Sequence, residues 1–464
     1  MSLISSISGI RGTIGGDVTS GLNPINIAEF TAAYATFIKK NSPIRAGKVV
    51  VARDGRISGE IVKGIVIPTL QAMGLEVVDL DYATTPTTEI AVVHELADGG
   101  IIITASHNPR HWNALKLLNH RGEFLNATEG EEVLQIAQER AFVFASVNDL
   151  GKVTQRNYTE RHIQDILNLP YVDAEAIRAC GFRVAVDCIN SVGSLIVPKL
   201  LTELGVAEVI VLNGEVTGDF AHNPEPLAIH LQDLSNIVTE KKAHVGFAVD
   251  PDVDRLAIMC EDGTMFGEEN TLISIADYLL EQNPGAKTVS NLSSSRGLRD
   301  ITYARGGEYH TAAVGEVNVV HKMKEVSALI GGEGNGGVIL PALHYGRDAL
   351  VGIALYLTMM AKRTLTPAQL LQMLPKYAMA KEKVELPEVL NFDTLVSALK
   401  EKYSNAEATT IDGLKLDFPT AWVHLRKSNT EPILRIYAEA PSEEEALALA
   451  QEVIGTVHHV INQK

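Results

Sequence analysis

A chain of 464 residues is too long for one hydrophobic core and calls for three to four domains. Its 46% hydrophobic and 21% charged residues are those of an ordinary soluble globular protein. A formal net charge of −17 excludes the broad basic face that a phosphate backbone needs, so no nucleic-acid partner is expected. Small anions can be held only where Arg and Lys converge locally.

The opening MSLISSISGIRG has no basic segment ahead of an apolar one, so no signal peptide is expected. In LNPINIAEFTAAYATFIKK, Asn23 caps a helix whose first residue is Pro24. Ile27, Phe30, Tyr34, Phe37 and Ile38 then form an apolar stripe at helical spacing. KVVVARDGRISGEIVKGIV reads as strand, polar loop, helix. The same order is expected in GGIIITASHNP, in FRVAVDCINSVGSLIVPKLL and in KTVSNLSSSRGLRDI. Such alternation predicts βαβ units, largely parallel sheets and ligands at the carboxyl ends of the strands. ALVGIALYLTMMA at 349–361 is too short to span a bilayer and reads as a buried helix, so no membrane partner is expected.

Near the end the pattern changes. Asp412-Gly413 marks a hairpin, AWVHLR and ILRIYAEA read as strands, and Ser442 with Glu445 forms a capping box ahead of a last helix. The expected class is α/β: three similar α/β domains with mixed, mostly parallel sheets, plus a C-terminal α+β domain. The expected boundaries are 1–154, 155–256, 257–370 and 375–464. Cys180, Cys188 and Cys260 form no CxxC pair, which suits a reducing, cytoplasmic setting.

Four stretches and a few loop cations carry chemistry. In IIITASHNPRHWNALK a buried strand runs directly into Ser106, His107 and Asn108, with Lys116 beyond them. A helix-capping turn is the plain alternative, and a hydrolase elbow is disfavoured because GxSxG is absent. In AVDPDVDRLAIMC, Asp250, Asp252 and Asp254 alternate, so an extended loop can turn three carboxylates to one point, as Mg²⁺ requires. Arg255 stands where an EF-hand needs Gly, and LAIMC reads as a strand, which leaves a solvated acidic loop as the alternative.

GGEGNGGVILP has the letters of a dinucleotide loop, yet no helix follows the glycines. It reads instead as a loop offering Glu333 and Asn335 to a polar ligand such as a sugar, or as a tight interdomain turn. HLRKSNTEPILRI brings Arg426, Lys427, Ser428, Asn429 and Thr430 together, with Arg435 beyond, which suits an anion nest or a plain polar hairpin. Arg11, Arg53 and Arg56 are further loop cations. A hydroxyl facing a hard-cation cluster and anion nests suits phosphoryl transfer, a chemistry of positioning and charge neutralisation.

These stretches, in this order, resemble the α-D-phosphohexomutases. SGIRG at 8–12 is similar to the family's amino-terminal signature and TASHNP at 104–109 to its phosphoserine loop. DPDVDR at 250–255 resembles the metal loop, GEGNGG at 332–337 the sugar loop and RKSNTEP at 426–432 the phosphate loop. The resemblance implies four domains around a central cleft, each giving one loop. It implies that Ser106 carries a phosphoryl group beside one Mg²⁺ held by Ser106, Asp250, Asp252 and Asp254. Lys116 would assist proton transfer, Arg11 and Arg255 would neutralise charge, and His107 would support the loop. Glu333, Asn335, Arg426, Ser428, Asn429, Thr430 and Arg435 would bind substrate.

The implied reaction interconverts hexose 6-phosphate and hexose 1-phosphate through a bound bisphosphate, with hexose 1,6-bisphosphate as activator. The implied assembly is a monomer or homodimer. Asn335 replaces the serine common in the family's GE-x-SG loop, and NALK replaces NGIK with Lys116 kept. RKSNTEP has the Ser-Asn-Thr usual in phosphomannomutase/phosphoglucomutase enzymes, whereas VGEVNV with GGEGNGG resembles an archaeal-type subgroup containing enzymes named for either substrate, and the reading leans to glucosamine 6-phosphate over mannose or glucose phosphates. A Mg²⁺-dependent sugar phosphatase and a non-catalytic sugar-phosphate-binding protein are the rival classes.

Overall fold

The computed structural model describes residues 3–6, 9–16, 20–385, 392–427 and 433–462. The chain forms two compact units, Met1–Leu279 with Asn335–Gln372, and Leu280–Gly334 with Met373–Lys464.

In the first unit a seven-stranded sheet runs in the order Leu3–Ser6, Gly9–Thr13, Trp112–Leu118, Gly99–Ile103, Lys48–Arg53, Glu76–Tyr82, Val153–Gln155. Gly99–Ile103, Lys48–Arg53 and Glu76–Tyr82 are parallel, joined by the helices Gly59–Ala72 and Thr85–His94. Cover on both faces explains the unbroken Val and Ile runs. The helix Pro24–Asn41 starts as expected, Asn23 accepting from the Ile25 and Asn26 amides. Its Tyr34 hydroxyl donates to Leu118 O at 2.6 Å, pinning the helix to the sheet.

One expectation fails. Gly99–Ile103 leads not into a helix but into the strand Trp112–Leu118, which returns antiparallel with Ile102 opposite Lys116. Residues 104–111 are too few for the crossover that a parallel partner needs, so the chain must turn back on itself. The same device recurs in a four-stranded sheet of order Leu256–Met259, Val245–Val249, Arg183–Asp187, Glu208–Leu212, where residues 250–255 join an antiparallel pair.

The helix Ala349–Arg363 is capped by Asp348 and buried from Ala349 to Met360, as its apolar sequence predicts. Among the described residues no helix is long and apolar enough to cross a membrane.

The second unit contains the parallel strands Glu308–Ala312, Lys287–Asn291 and Ile330–Glu333. It also has a five-stranded antiparallel sheet, ordered Ala378–Glu385, Ile433–Ala440, Trp422–Lys427, Leu414–Asp417, Glu407–Thr409. The hairpin at Asp412-Gly413 is present, with Thr409 opposite Lys415 and Gly413 at φ +69°. The helices Phe392–Lys402 and Glu443–Asn462 close the apolar face around Leu414, Leu416, Val423, Leu425 and Ile436. Buried Arg296 ties the two sheets together. Its amide donates to Glu439, and its guanidinium reaches the carbonyls of Phe418, Pro419 and Ala421 as well as Asp417.

Candidate active site

Ser106 sits at the turn of the first hairpin, 7% exposed and at φ +49°. Its amide donates to Thr104 Oγ1 at 2.9 Å, and Thr104 donates onward to buried Asp54 at 2.7 Å. Arg56 fixes the loop from beneath. Its guanidinium donates to the carbonyls of Ser106 (2.5 Å), Asn108 (2.6 Å), Pro109 and Trp112 (2.9 Å each), and its Nε pairs with Asp54 at 3.1 Å. Arg53 is likewise engaged internally, by Asp81 and Glu60. Arg53 thus ends its strand rather than lying in the loop as expected, and it and Arg56 both serve the scaffold, Arg56 being 1% exposed.

The second hairpin presents the aspartates. Ser106 Oγ donates to Asp250 Oδ2 at 2.7 Å, across 144 residues of sequence. Asp250 Oδ1 accepts the amides of Asp254 and Arg255 at 3.1 and 3.2 Å, which curls the loop around it. Asp250, Asp252 and Asp254 are fully buried, and one oxygen from each lies within 4.8 Å of the others. Asp252 Oδ1 and Asp254 Oδ1 are buried without a hydrogen-bond partner. Three buried carboxylates with two orphaned oxygens form the hard, oxygen-only donor set that a divalent ion of the Mg²⁺ type takes.

Lys116 Nζ, 8% exposed, lies 2.7 Å from Asp252 Oδ2 and 3.6 Å from Asp254 Oδ2. Burial alone would lower its pKa, but Asp252 and Asp254 outweigh burial and raise it. Burial lifts the Asp250 carboxyl well above the ordinary range, with Asp254 and Asp252 adding like charge. At Asp252 burial acts in the same direction, yet Lys116 and Thr85 overcome it and hold the group low. His107 lies 3.3 Å from Ser106 Oγ and is pushed down to about 2 by burial and by Arg255, so its ring is neutral. Arg11 donates to Asn108 Oδ1 at 3.1 Å, and Arg255 Nε lies 3.9 Å from Asp254. Asn335 belongs to this unit too. The next residue, Gly336 at φ +82°, rests on Leu256, whose amide donates to Gly336 O at 3.1 Å.

Two neighbours of the aspartates went unread in the sequence. Thr85 Oγ1 donates to Asp252 Oδ2 at 2.6 Å, and Arg347 Nη2 donates to Asp254 Oδ2 at 2.7 Å. Each comes from a helix start remote in sequence. The one local hint for Arg347 is a cation placed directly before the cap of an apolar helix.

The second unit holds the other expected residues. Glu333 is 5% exposed, and its Oε1 accepts from Asn291 Nδ2 at 2.8 Å and from the Gly315 amide at 3.1 Å. Arg426 and Arg435 face each other on paired strands, and Arg426 Nε donates to Asp412 Oδ1 at 2.9 Å. Ser428, Asn429 and Thr430 lie outside the described residues.

Four family models match the chain in order. They are phosphoglucomutase/phosphomannomutase alpha/beta/alpha domain I at residues 4–144, domain II at 160–263, domain III at 268–377 and the C-terminal domain at 379–456. A phosphoglucomutase/phosphomannomutase of Thermococcus kodakarensis is 36% identical over 94% of each chain. A phosphoglucosamine/phosphogalactosamine mutase of Sulfurisphaera tokodaii is 32% identical over 98% of each. Among solved structures, a phosphoglucomutase/phosphomannomutase family protein of Burkholderia thailandensis superposes with a TM-score of 0.85 at 27% identity, over 99% of this chain and 98% of the other.

Proposed function

The chain belongs to the phosphoglucomutase/phosphomannomutase family and is a phosphohexomutase, and from that premise we propose that Ser106 carries the transferred phosphoryl group between hexose 6-phosphate and hexose 1-phosphate. The observation that supports this role is the 2.7 Å contact from Ser106 Oγ to a buried aspartate cluster with two orphaned oxygens. Asp250, Asp252, Asp254 and the Ser106 oxygen would hold one Mg²⁺, which supplies charge neutralisation to the phosphoryl oxygens.

The protein's own groups then do the positioning. Arg56 and the Thr104–Asp54 pair hold the serine turn. Arg11 and Arg255 lie beside it as cations for phosphoryl oxygens. Lys116 would relay the proton: in each transfer charged Nζ protonates the departing oxygen and regains a proton from the attacking hydroxyl, that of Ser106 or of the hexose, so the lysine ends each step charged. His107 supports the turn rather than acting as base. Glu333 and Asn335 would meet sugar hydroxyls, and Arg426, Ser428, Asn429, Thr430 and Arg435 the distal phosphate. On this reading the segments 1–154, 155–256, 257–370 and 375–464 contribute one loop each, and hexose 1,6-bisphosphate activates by phosphorylating Ser106.

Glucosamine 6-phosphate is the proposed substrate, supported by the Sulfurisphaera relative. The more similar Thermococcus relative favours glucose or mannose phosphates as the second reading. The test uses labelled hexose 1,6-bisphosphate and the 6-phosphates of glucosamine, glucose and mannose. Label should enter the intact chain and not the Ser106→Ala variant, and the 6-phosphate should exchange with its 1-phosphate isomer without net phosphate release. Near-normal turnover in Ser106→Ala, or stoichiometric release of phosphate, refutes the mechanism.

A further inference from the structure

Two adjacent backbone amides in the second unit each point at a carboxylate. Gly315 N donates to Glu333 Oε1 at 3.1 Å, and Val314 N donates to Asp412 Oδ2 at 3.0 Å. Asp412 in turn accepts Arg426 Nε on Oδ1 at 2.9 Å, with Oδ2 at 2.8 Å. A continuous path thus runs from the Glu333 carboxylate through Gly315, Val314 and Asp412 to the Arg426 guanidinium. The path is braced on both sides. Asn291 holds Glu333, and His424 Nε2 lies 2.7 Å from Asp412 O while its Nδ1 lies 2.8 Å from Ser293 Oγ. Gly315 itself stands at φ +113°, a conformation that side chains avoid, so the two amides can follow one another in this geometry only with glycine there.

We infer that Asp412 is a positioning residue that sets the Arg426 guanidinium in register with Glu333 through the Val314 and Gly315 amides. The contact engages Nε and leaves the Nη1–Nη2 edge unengaged by Asp412, and that edge is the one that can fork onto two oxygens of a phosphate. A guanidinium on a flexible stem loses rotamer freedom when it binds. Holding it through Nε removes part of that loss beforehand, so Asp412 acts on binding more than on chemistry. The hydroxyls and phosphate of a hexose phosphate are kept within a limited range of separations by the sugar ring and a few rotatable bonds. Linking their two receptors through one rigid dipeptide therefore favours ligands within that range. The inference rests on the proposed phosphate role of Arg426.

The test measures KM and kcat for the hexose 6-phosphate in four proteins: the native enzyme, Asp412→Asn, Arg426→Ala and the double variant. Asparagine keeps an acceptor for the Val314 amide and removes the charge that holds Nε. KM should rise about 10-fold in Asp412→Asn with kcat changed less than about 3-fold, and the same exchange should add almost nothing once Arg426 is alanine. Asp412→Glu should recover part of the lost affinity, and thermal unfolding of each variant checks that the fold persists. An unchanged KM in Asp412→Asn, or an equal KM rise in the Arg426→Ala background, overturns the positioning role while Arg426→Ala alone still reports on phosphate binding. An unchanged KM in Arg426→Ala instead overturns the phosphate role of Arg426.

Discussion

Replacing Arg56 by methionine is the most informative single perturbation of the scaffold. Methionine preserves most of the volume but removes every donor, and both Arg56 and Asp54 have side chains with no exposure. The carbonyl of Ser106 is left buried and unpaired, and those of Asn108, Pro109 and Trp112 are partly reachable by water. Discounting the latter three gives a loss of about 3 kcal/mol from carbonyls alone. Asp54 adds a pH-dependent share. Burial raises its pKa to about 6, even with Arg56 opposing the shift.

A carboxyl raised above its unfolded value near 4 costs stability as pH climbs from about 4 to about 6, and no more beyond. Without Arg56 the folded value moves higher, so the cost keeps growing above pH 6 and adds roughly 3 kcal/mol at pH 8. Thermal unfolding followed by circular dichroism should therefore show a Tm loss of about 5 °C at pH 5 and about 10 °C at pH 8. A loss below about 2 °C at both values refutes the carbonyl clamp. Equal losses at both refute the compensation of an ionised Asp54.

Chelation of divalent ions should abolish turnover while leaving the circular dichroism spectrum intact, and full activity at vanishing free divalent ion would remove the metal reading of Asp250, Asp252 and Asp254. Arg347→Met removes the 2.7 Å donor to Asp254 Oδ2 and leaves it Lys116 at 3.6 Å, so the Mg²⁺ concentration for half-maximal activity should shift several-fold, and an unshifted titration counts against that contact. Gly336→Ala would place a methyl 2.3 Å from Leu256 O at φ +82°, so it should lower Tm by several degrees, and an unchanged Tm would show that the loop does not rest on that strand.

Much of this was legible in the residues themselves. Asn23 and Pro24 opened their helix, the 349–360 run went into the core, and Asp412-Gly413 made its hairpin, because caps, burial and turn conformations are decided within a few residues. The alternation of Asp250, Asp252 and Asp254 announced a cluster for the same reason. The sequence does not signal the strand after Ser106, since WNALKLL lacks clean alternation and the strands Lys48–Arg53 and Glu76–Tyr82 before it both lead to helices. Arg56 drew attention as a cation, yet its target was four carbonyls up to 56 residues away, a partner set with no local pattern. Thr85 and Arg347 were silent because their meaning lies entirely in Asp252 and Asp254, reached only through tertiary packing.

The left-handed backbone at Ser106 bears on which residues that position can accept. Threonine offers the same nucleophilic hydroxyl, but a branched Cβ is a severe misfit at positive φ, whereas aspartate visits that region readily. The turn thus sorts replacements by shape before chemistry is consulted. A residue that imitates the charged, phosphorylated form of the serine fits more comfortably than one that imitates its reactive alcohol.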